Sequence, residues 1–242
     1  MAILRKLEEL ENQCLALGID VRNTRQPIKG SAFGKIDFVK ALEQYFINKY
    51  RSEGTLTKGL EWCTTNIEES PMLAASRLPD DEMEMILESD RWVATEKIDG
   101  VRCVLTYWPD EGFCLIGRNR LVNTGTYSEF TDQVLGLRRS DTIGLFPHSF
   151  VLDGELTSTT KNFAGRVVSD TVLNAITQIL SLTRQDSWEA QWDVYQKTNS
   201  LPIRYNPFDI FMFKDQNLMS WPLEKRLAGL SKLFQQEEYF MA

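Results

Sequence analysis

Four stretches dense in β-branched and aromatic residues dominate the chain beyond residue 90. They are RWVATEKIDGVRCVLTYW (91–108), GFCLIGRN (112–119), SFVLDGELTS (149–158) and IRYNPFDIFMF (203–213). Asp-Gly or Gly breaks punctuate them, so each reads as strand interrupted by turns. Helical spacing of apolar residues falls between and around them, at about 80–89, 127–137, 169–182 and 222–235. Strands mixed irregularly with helices do not make a β-α-β repeat. The pattern predicts an α+β fold of antiparallel sheets with flanking helices.

The N-terminal part has a different texture. Ile3, Leu4, Leu7, Leu10, Cys14 and Leu17 follow helical spacing, and Gly18 supplies a stop. A second helix is expected from Lys35 to about Tyr50, with Phe38, Val39, Leu42, Tyr45, Phe46 and Ile47 as its buried stripe. Residues 51–59 read as a linker. Two domains are therefore expected: a small helical module over 1–60 and a larger unit over 61–242. The helix–loop–helix outline resembles a SAP-type DNA-binding module, in which Arg22, Arg25, Lys29 and Lys35 would touch phosphates without reading sequence. The other reading of the same residues is a helix pair packed on its neighbour with solvated charges.

Charge sharpens the division. The net charge is −7, which excludes a uniformly basic nucleic-acid binder, yet residues 1–60 carry +3 and the rest −10. Cys14, Cys63, Cys103 and Cys114 form no CxxC pair and the chain has one histidine, so neither a zinc site nor a disulfide framework is suggested. No apolar run approaches the ~20 residues a membrane span needs. The charged N-terminus lacks the core of a secretory signal. An intracellular protein, cytoplasmic or nuclear, is expected.

The chemistry-bearing segment is Glu96-Lys97-Ile98-Asp99-Gly100-Val101-Arg102. Alone, Lys-x-Asp-Gly is short enough to arise by chance, as a strand ending in a solvated turn. Its neighbours follow in a fixed order. Gly117-Arg118-Asn119 places an arginine 21 residues after Lys97, and Asp153-Gly154-Glu155 begins 56 residues after it. Pro207-Phe208-Asp209 and Pro222-Leu223-Glu224-Lys225-Arg226 come later, and Ser70-Pro71-Met72-Leu73-Ala74 lies upstream.

This series, spanning about residues 70–230, resembles the covalent nucleotidyltransferase superfamily of ATP-dependent DNA ligases, RNA ligases and mRNA capping enzymes. The resemblance implies a nucleotidyltransferase fold of ATP-grasp-like antiparallel sheets. It further implies that Lys97 is the nucleophile that becomes joined to a nucleoside monophosphate. Arg118 would contact ribose or phosphate, Glu155 a ribose hydroxyl, and Phe208 the purine face. Thr95 and Glu96 lie where the family's base-edge contacts fall. Asp99 and Arg102 complete the nucleotide set. Mg²⁺ or Mn²⁺, held in part by Asp99 and Glu155, would accompany ATP.

An amine attacking phosphorus must be neutral, against a free lysine pKa near ~10.4. Partial desolvation, Arg102 and the metal are the expected means of lowering it. Asp99-Gly100 is expected to form the turn that aims Lys97, with Gly100 letting backbone approach phosphate. Lys161 and Arg166 either meet a nucleic-acid backbone or sit on a solvated loop.

The leading expectation is a DNA ligase acting on nicked duplex DNA, serving repair, replication or recombination, with a viral or phage source plausible for so compact a chain. An mRNA guanylyltransferase or RNA ligase with the same lysine chemistry is the alternative, and a non-catalytic scaffold derived from a ligase is another. Two departures from the pattern stand out: Gly117 replaces the common Ser or Thr, and Arg120 the common Gly. Later Glu-Gly-x-x-x-Lys and Lys-x-Lys motifs are absent. An OB-fold or complementary chain is expected to supply them, and the isolated chain to label itself weakly or not at all.

Overall fold

The computed structural model describes residues 7–21, 34–54, 56–67, 79–89, 96–121, 124–137 and 139–235. The chain runs through α1 (Leu7–Ala16), α2 (Lys35–Ser52), α3 (Lys58–Asn66), α4 (Asp80–Leu87), β1 (Val101–Trp108), β2 (Gly112–Arg120), β3 (Tyr127–Glu129), α5 (Arg139–Thr142) and β4 (Phe150–Ser158). It continues through β5 (Asn162–Phe163), β6 (Val167–Val168), α6 (Val172–Ser181), α7 (Arg184–Thr198), β7 (Ile203–Phe213), β8 (Gln216–Asn217) and α8 (Leu223–Gln235). Six strands form one sheet in the order β3-β2-β1-β4-β7-β8, every pairing antiparallel, and β5-β6 form a small hairpin. This is the α+β arrangement of antiparallel sheet with flanking helices expected from the sequence patterns.

Strand alternation sorts the sheet into two faces. On one face Cys103, Leu105, Tyr107, Leu115, Phe150, Leu152, Leu156 and Ile210 pack with Ala175, Ile176, Ile179 and Leu180 of α6, Ala190 of α7 and Leu230 of α8. On the other, Val104, Cys114, Ile116, Val151 and Met212 pack with Leu60, Cys63 and Ile67 on and just after α3. This second face is apolar only towards one end. Beyond the reach of α3 its positions turn polar, with Arg102 opposite Glu155 and Val104 opposite Asp153 across β1 and β4.

Helices α1 and α2 build a third cluster from Leu10, Cys14, Val21, Phe38, Ala41 and Leu42. A division at residue 60 would cut α3, whose Thr57 caps the helix by accepting the Leu60 amide at 3.1 Å.

Three local expectations are revised. Residues 127–137 form no α-helix. β3 pairs with β2, and the turn Thr131–Gln133 follows, with the Thr131 hydroxyl accepting the Leu115 amide at 2.9 Å. Sheet pairing there overrides helical spacing. Asp153-Gly154 is no turn but the middle of β4. The segment read as a linker contains the start of α3. No helix among the described residues is long and apolar enough to cross a membrane.

Candidate active site

A cavity of about 490 Å³ opens where β1 begins and β2 ends. Lys97, Asp99, Arg102, Arg118 and Glu155 line it, with Gly117, Ser128 and Phe130 on the β2–β3 side and Leu173 of α6. The site thus draws together five residues that are scattered over 59 positions of sequence.

Gly100 makes the convergence possible. A Cβ there would lie 2.1 Å from the Leu156 carbonyl oxygen and 2.9 Å from Glu155 Cγ. Its missing side chain lets the Lys97 segment press against β4. The Gly100 amide donates to the Glu155 carboxylate. Burial raises the Glu155 pKa, with Arg102, that amide and Lys97 pulling the other way.

Arg102 grips Asp153 with both arms, Nε–Oδ1 3.2 Å and Nη2–Oδ2 2.5 Å. The Asp153 side chain is 2% exposed, and its pKa rises through burial against the pull of Arg102. The guanidinium carbon lies 5.2 Å from the centroid of the Phe208 ring, a cation–π arrangement. Phe208 therefore flanks Arg102 but is not among the residues lining the cavity.

Lys97 departs from the expected electrostatics. Its side chain is 87% exposed, and Nζ donates to Asp99 Oδ1 at 2.7 Å. That contact raises its pKa above the ordinary lysine value, with Glu155 adding in the same direction. Desolvation, the expected means of lowering it, is minor on so open a side chain.

The family model for the ATP-dependent DNA ligase domain matches residues 71–242. The chain belongs to this ligase-domain family. Two solved structures also align: mycobacterial DNA ligase D complexed with ATP and MES, and the ligase domain of M. tuberculosis LigD. Each is 18% identical with a TM-score of 0.35. The alignments cover 58% and 59% of this chain and 36% of each structure's chain. No curated protein matches.

Both departures from the ligase pattern have local causes. A Cβ at Gly117 would stand 2.4 Å from Ser128 Oγ and 2.6 Å from the Phe130 ring. The close approach of β3 and its following turn accounts for the glycine. Arg120 clamps α3 to the sheet: it donates to the carbonyls of Thr64 (3.1 Å), Ile67 (2.6 Å) and Gly125 (3.0 Å), and stacks 4.8 Å from the Tyr127 ring centroid.

The remaining ligase-like candidates are dispersed. Glu96 is exposed beside the cavity, and Thr95 lies outside the described residues. So do Arg22, Arg25 and Lys29; Lys35 opens α2, its side chain likewise outside. Lys161 is exposed, whereas Arg166 reaches α7, pairing with Glu189 at 2.6 Å and Asp186 at 3.5 Å.

Motif reading missed Phe130, Ser128 and Leu173 as cavity walls. It also missed the pairing of Asp209 with Arg226. No short-range signal marks the walls, and only the shared presence of opposite charges in two motifs hinted at the pair.

Proposed function

We propose that this chain forms the ATP-binding part of a DNA ligase and that Lys97 is its covalent nucleophile. The observation that carries the proposal is the convergence of Lys97, Arg102, Arg118 and Glu155 on one open cavity of ligand size. Arg118 Nε is buried there without a hydrogen-bond partner. A buried donor of this kind gains from an incoming phosphate or ribose oxygen.

In the proposed first step, Lys97 loses a proton and its Nζ attacks the α-phosphorus of ATP. The N–P bond forms as the bond to the bridging oxygen of the β-phosphate breaks, and pyrophosphate leaves. Adenylate then passes to the 5′-phosphate at a nick, and the 3′-hydroxyl displaces AMP. Arg118 holds phosphate or ribose, Glu155 accepts from a ribose hydroxyl, and Phe208 stacks on the purine. Thr95 and Glu96 meet the base edge.

The Asp99 contact raises the Lys97 pKa and so favours the ammonium form, and that contact has to give way before attack. Asp99 and Glu155 line one cavity, and two carboxylates with phosphate oxygens make the donor set magnesium accepts. Asp99 and Glu155 would hold such an ion, with nucleotide oxygens as its further donors. When bound, the ion neutralises triphosphate charge and assists pyrophosphate departure. In this reading Arg22, Arg25, Lys29, Lys35 and Lys161 supply phosphate contacts to duplex DNA, whereas Arg166 is taken up by Glu189 and Asp186.

The test is incubation of the chain with ATP or GTP labelled at the α-phosphate, with nicked DNA present, followed by mass-spectrometric mapping. Slow adenylate labelling at Lys97, lost in Lys97→Ala, is expected. Labelling that persists in Lys97→Ala, or occurs with GTP only, refutes the ligase reading.

A further inference from the structure

Strand β7 carries extra residues relative to β4. Its register shifts by one between Val151 and Leu152, and again between Asp153 and Gly154. The second shift pairs Asp153 with Asp209 and Gly154 with Pro207, leaving Phe208 unpaired as a bulge. In unbroken alternation Phe208 would face the opposite side from Asp209, into the core around Leu152 and Ile210. The bulge instead turns its ring to the cavity side, beside Arg102.

A bulge gives up a ladder hydrogen bond and needs support from elsewhere. Asp209 provides it. Its Oδ1 accepts the Ile210 amide at 2.8 Å and Arg226 Nε at 2.8 Å, and its Oδ2 accepts Arg226 Nη2 at 2.8 Å. The remaining arm of Arg226 reaches the carbonyls of Trp221 (2.5 Å) and Met219 (3.5 Å). One guanidinium therefore ties the bulge to the loop that begins α8. A planar fork of five donors suits that geometry and a lysine ammonium does not.

Arg226 also settles a charge conflict. Asp209 and Asp153 are cross-strand neighbours, and like charges directly opposite destabilise a sheet. With Asp209 paired to Arg226, Arg102 is left to Asp153 and stays beside Phe208.

We propose that Arg226, acting through Asp209, is a positioning residue that holds Phe208 as the platform for the nucleotide base. This rests on the reading that the cavity takes ATP with its purine on Phe208. Arg226 does not line the cavity, so its effect is expected only through the base.

The experiment measures calorimetric affinity for ATP and for inorganic tripolyphosphate, with thermal midpoints recorded in parallel. The variants are Phe208→Ala, Arg226→Gln, Arg226→Lys and the double variant F208A/R226Q. Phe208→Ala and Arg226→Gln should each weaken ATP binding roughly tenfold, the scale of one base–aromatic stack. Tripolyphosphate affinity should stay within about twofold. The double variant should be no weaker than the worse single variant, and Arg226→Lys should recover only part of the loss. If Arg226→Gln does not fold, Asp209→Asn replaces it with the same expectation.

Equal losses for ATP and tripolyphosphate in Arg226→Gln overturn the proposal. So do unchanged ATP affinity, full recovery in Arg226→Lys, or multiplicative losses in the double variant. An unchanged Phe208→Ala overturns the base-platform reading itself, and the positioning role with it. The two failures are thereby told apart.

Discussion

Replacing Gly154 by alanine is expected to destabilise the chain by about 2–4 kcal/mol, from overpacking and lost hydrogen bonds together. The added Cβ would stand 2.5 Å from Tyr205 Cζ, 2.7 Å from its hydroxyl oxygen and 2.6 Å from the Asn206 carbonyl oxygen. Ordinary carbon contacts are about 3.5–4.0 Å, so the overlap is about 1 Å against two neighbouring residues of β7 at once. Tyr205 cannot yield cheaply. Its hydroxyl accepts the Leu105 amide at 3.3 Å and donates towards the Leu152 carbonyl at 2.9 Å, with the Cys103 carbonyl 3.3 Å away. Turning the ring forfeits one or two buried hydrogen bonds, at about 1 kcal/mol each. Leaving it in place strains the core by about 1–3 kcal/mol. Against this, alanine gains about 0.5–1 kcal/mol through its smaller loss of backbone freedom, which does not reverse the sign. At roughly 2–4 °C per kcal/mol, the thermal midpoint should fall by about 5–15 °C in differential scanning calorimetry. In a Tyr205→Ala background, itself costly, the further cost of alanine at 154 should fall but not vanish, because the ring is gone while the Asn206 carbonyl oxygen 2.6 Å away remains. A single variant within about 0.5 kcal/mol of the parent would refute the reasoning.

Asp99→Asn removes the contact that raises the Lys97 pKa. Below that pKa, Lys97 should then acylate faster with an anhydride reagent, read residue by residue by mass spectrometry; an unchanged or slower rate contradicts the pairing. Both groups are open to solvent, so no stability change is expected. Arg120→Ala removes three carbonyl contacts and a ring contact, and should cost about 2–4 kcal/mol and open a protease-sensitive site near Ile67. Resistance equal to the parent's would mean that the clamp is redundant. Burial raises the thiols of Cys63, Cys103 and Cys114, the last to about 12, and also lifts Cys14. A disulfide reagent at pH 8 should therefore react slowly with the native chain and fully with the four thiols once unfolded; rapid native reaction at more than one thiol would contradict this burial.

Much of the sheet was legible in the sequence. The strands over 101–108, 112–120, 150–158 and 203–213 coincide with runs of β-branched and aromatic residues, because each is buried on at least one face over most of its length. The small edge elements were not. β3 is three residues long and is held by its pairing with β2, which leaves no local pattern. Helix α7 was missed because Trp188, Trp192 and the charges around them do not sort cleanly onto two faces. Its ends are instead set by the Thr183 cap and the left-handed Asn199. Of the site, Lys97, Asp99, Arg102, Arg118 and Glu155 stood out as motif residues and meet at one cavity. Phe208 did so only in part, since its orientation depends on a register shift that no strand propensity reports.

The charge layout sorts the motif residues into two settings. Arg102 with Asp153 and Arg226 with Asp209 are two bidentate pairs side by side on β4 and β7, both largely removed from water. Breaking such a pair strands a charge in the interior, which is why removing one partner is far costlier than losing a surface bridge. Lys97 and Asp99 form the opposite kind of pair, with side chains 87% and 77% exposed. A pair in that setting contributes little and exchanges partners readily. Arg102 on β1 and Arg226 on α8 are therefore fixed by largely buried carboxylates, whereas Lys97 is held by a contact that a competing ligand for Asp99 can remove. In the proposed reaction Lys97 must shed a proton and move towards phosphorus, which its open setting permits, while the Arg226–Asp209 pair keeps Phe208 in place.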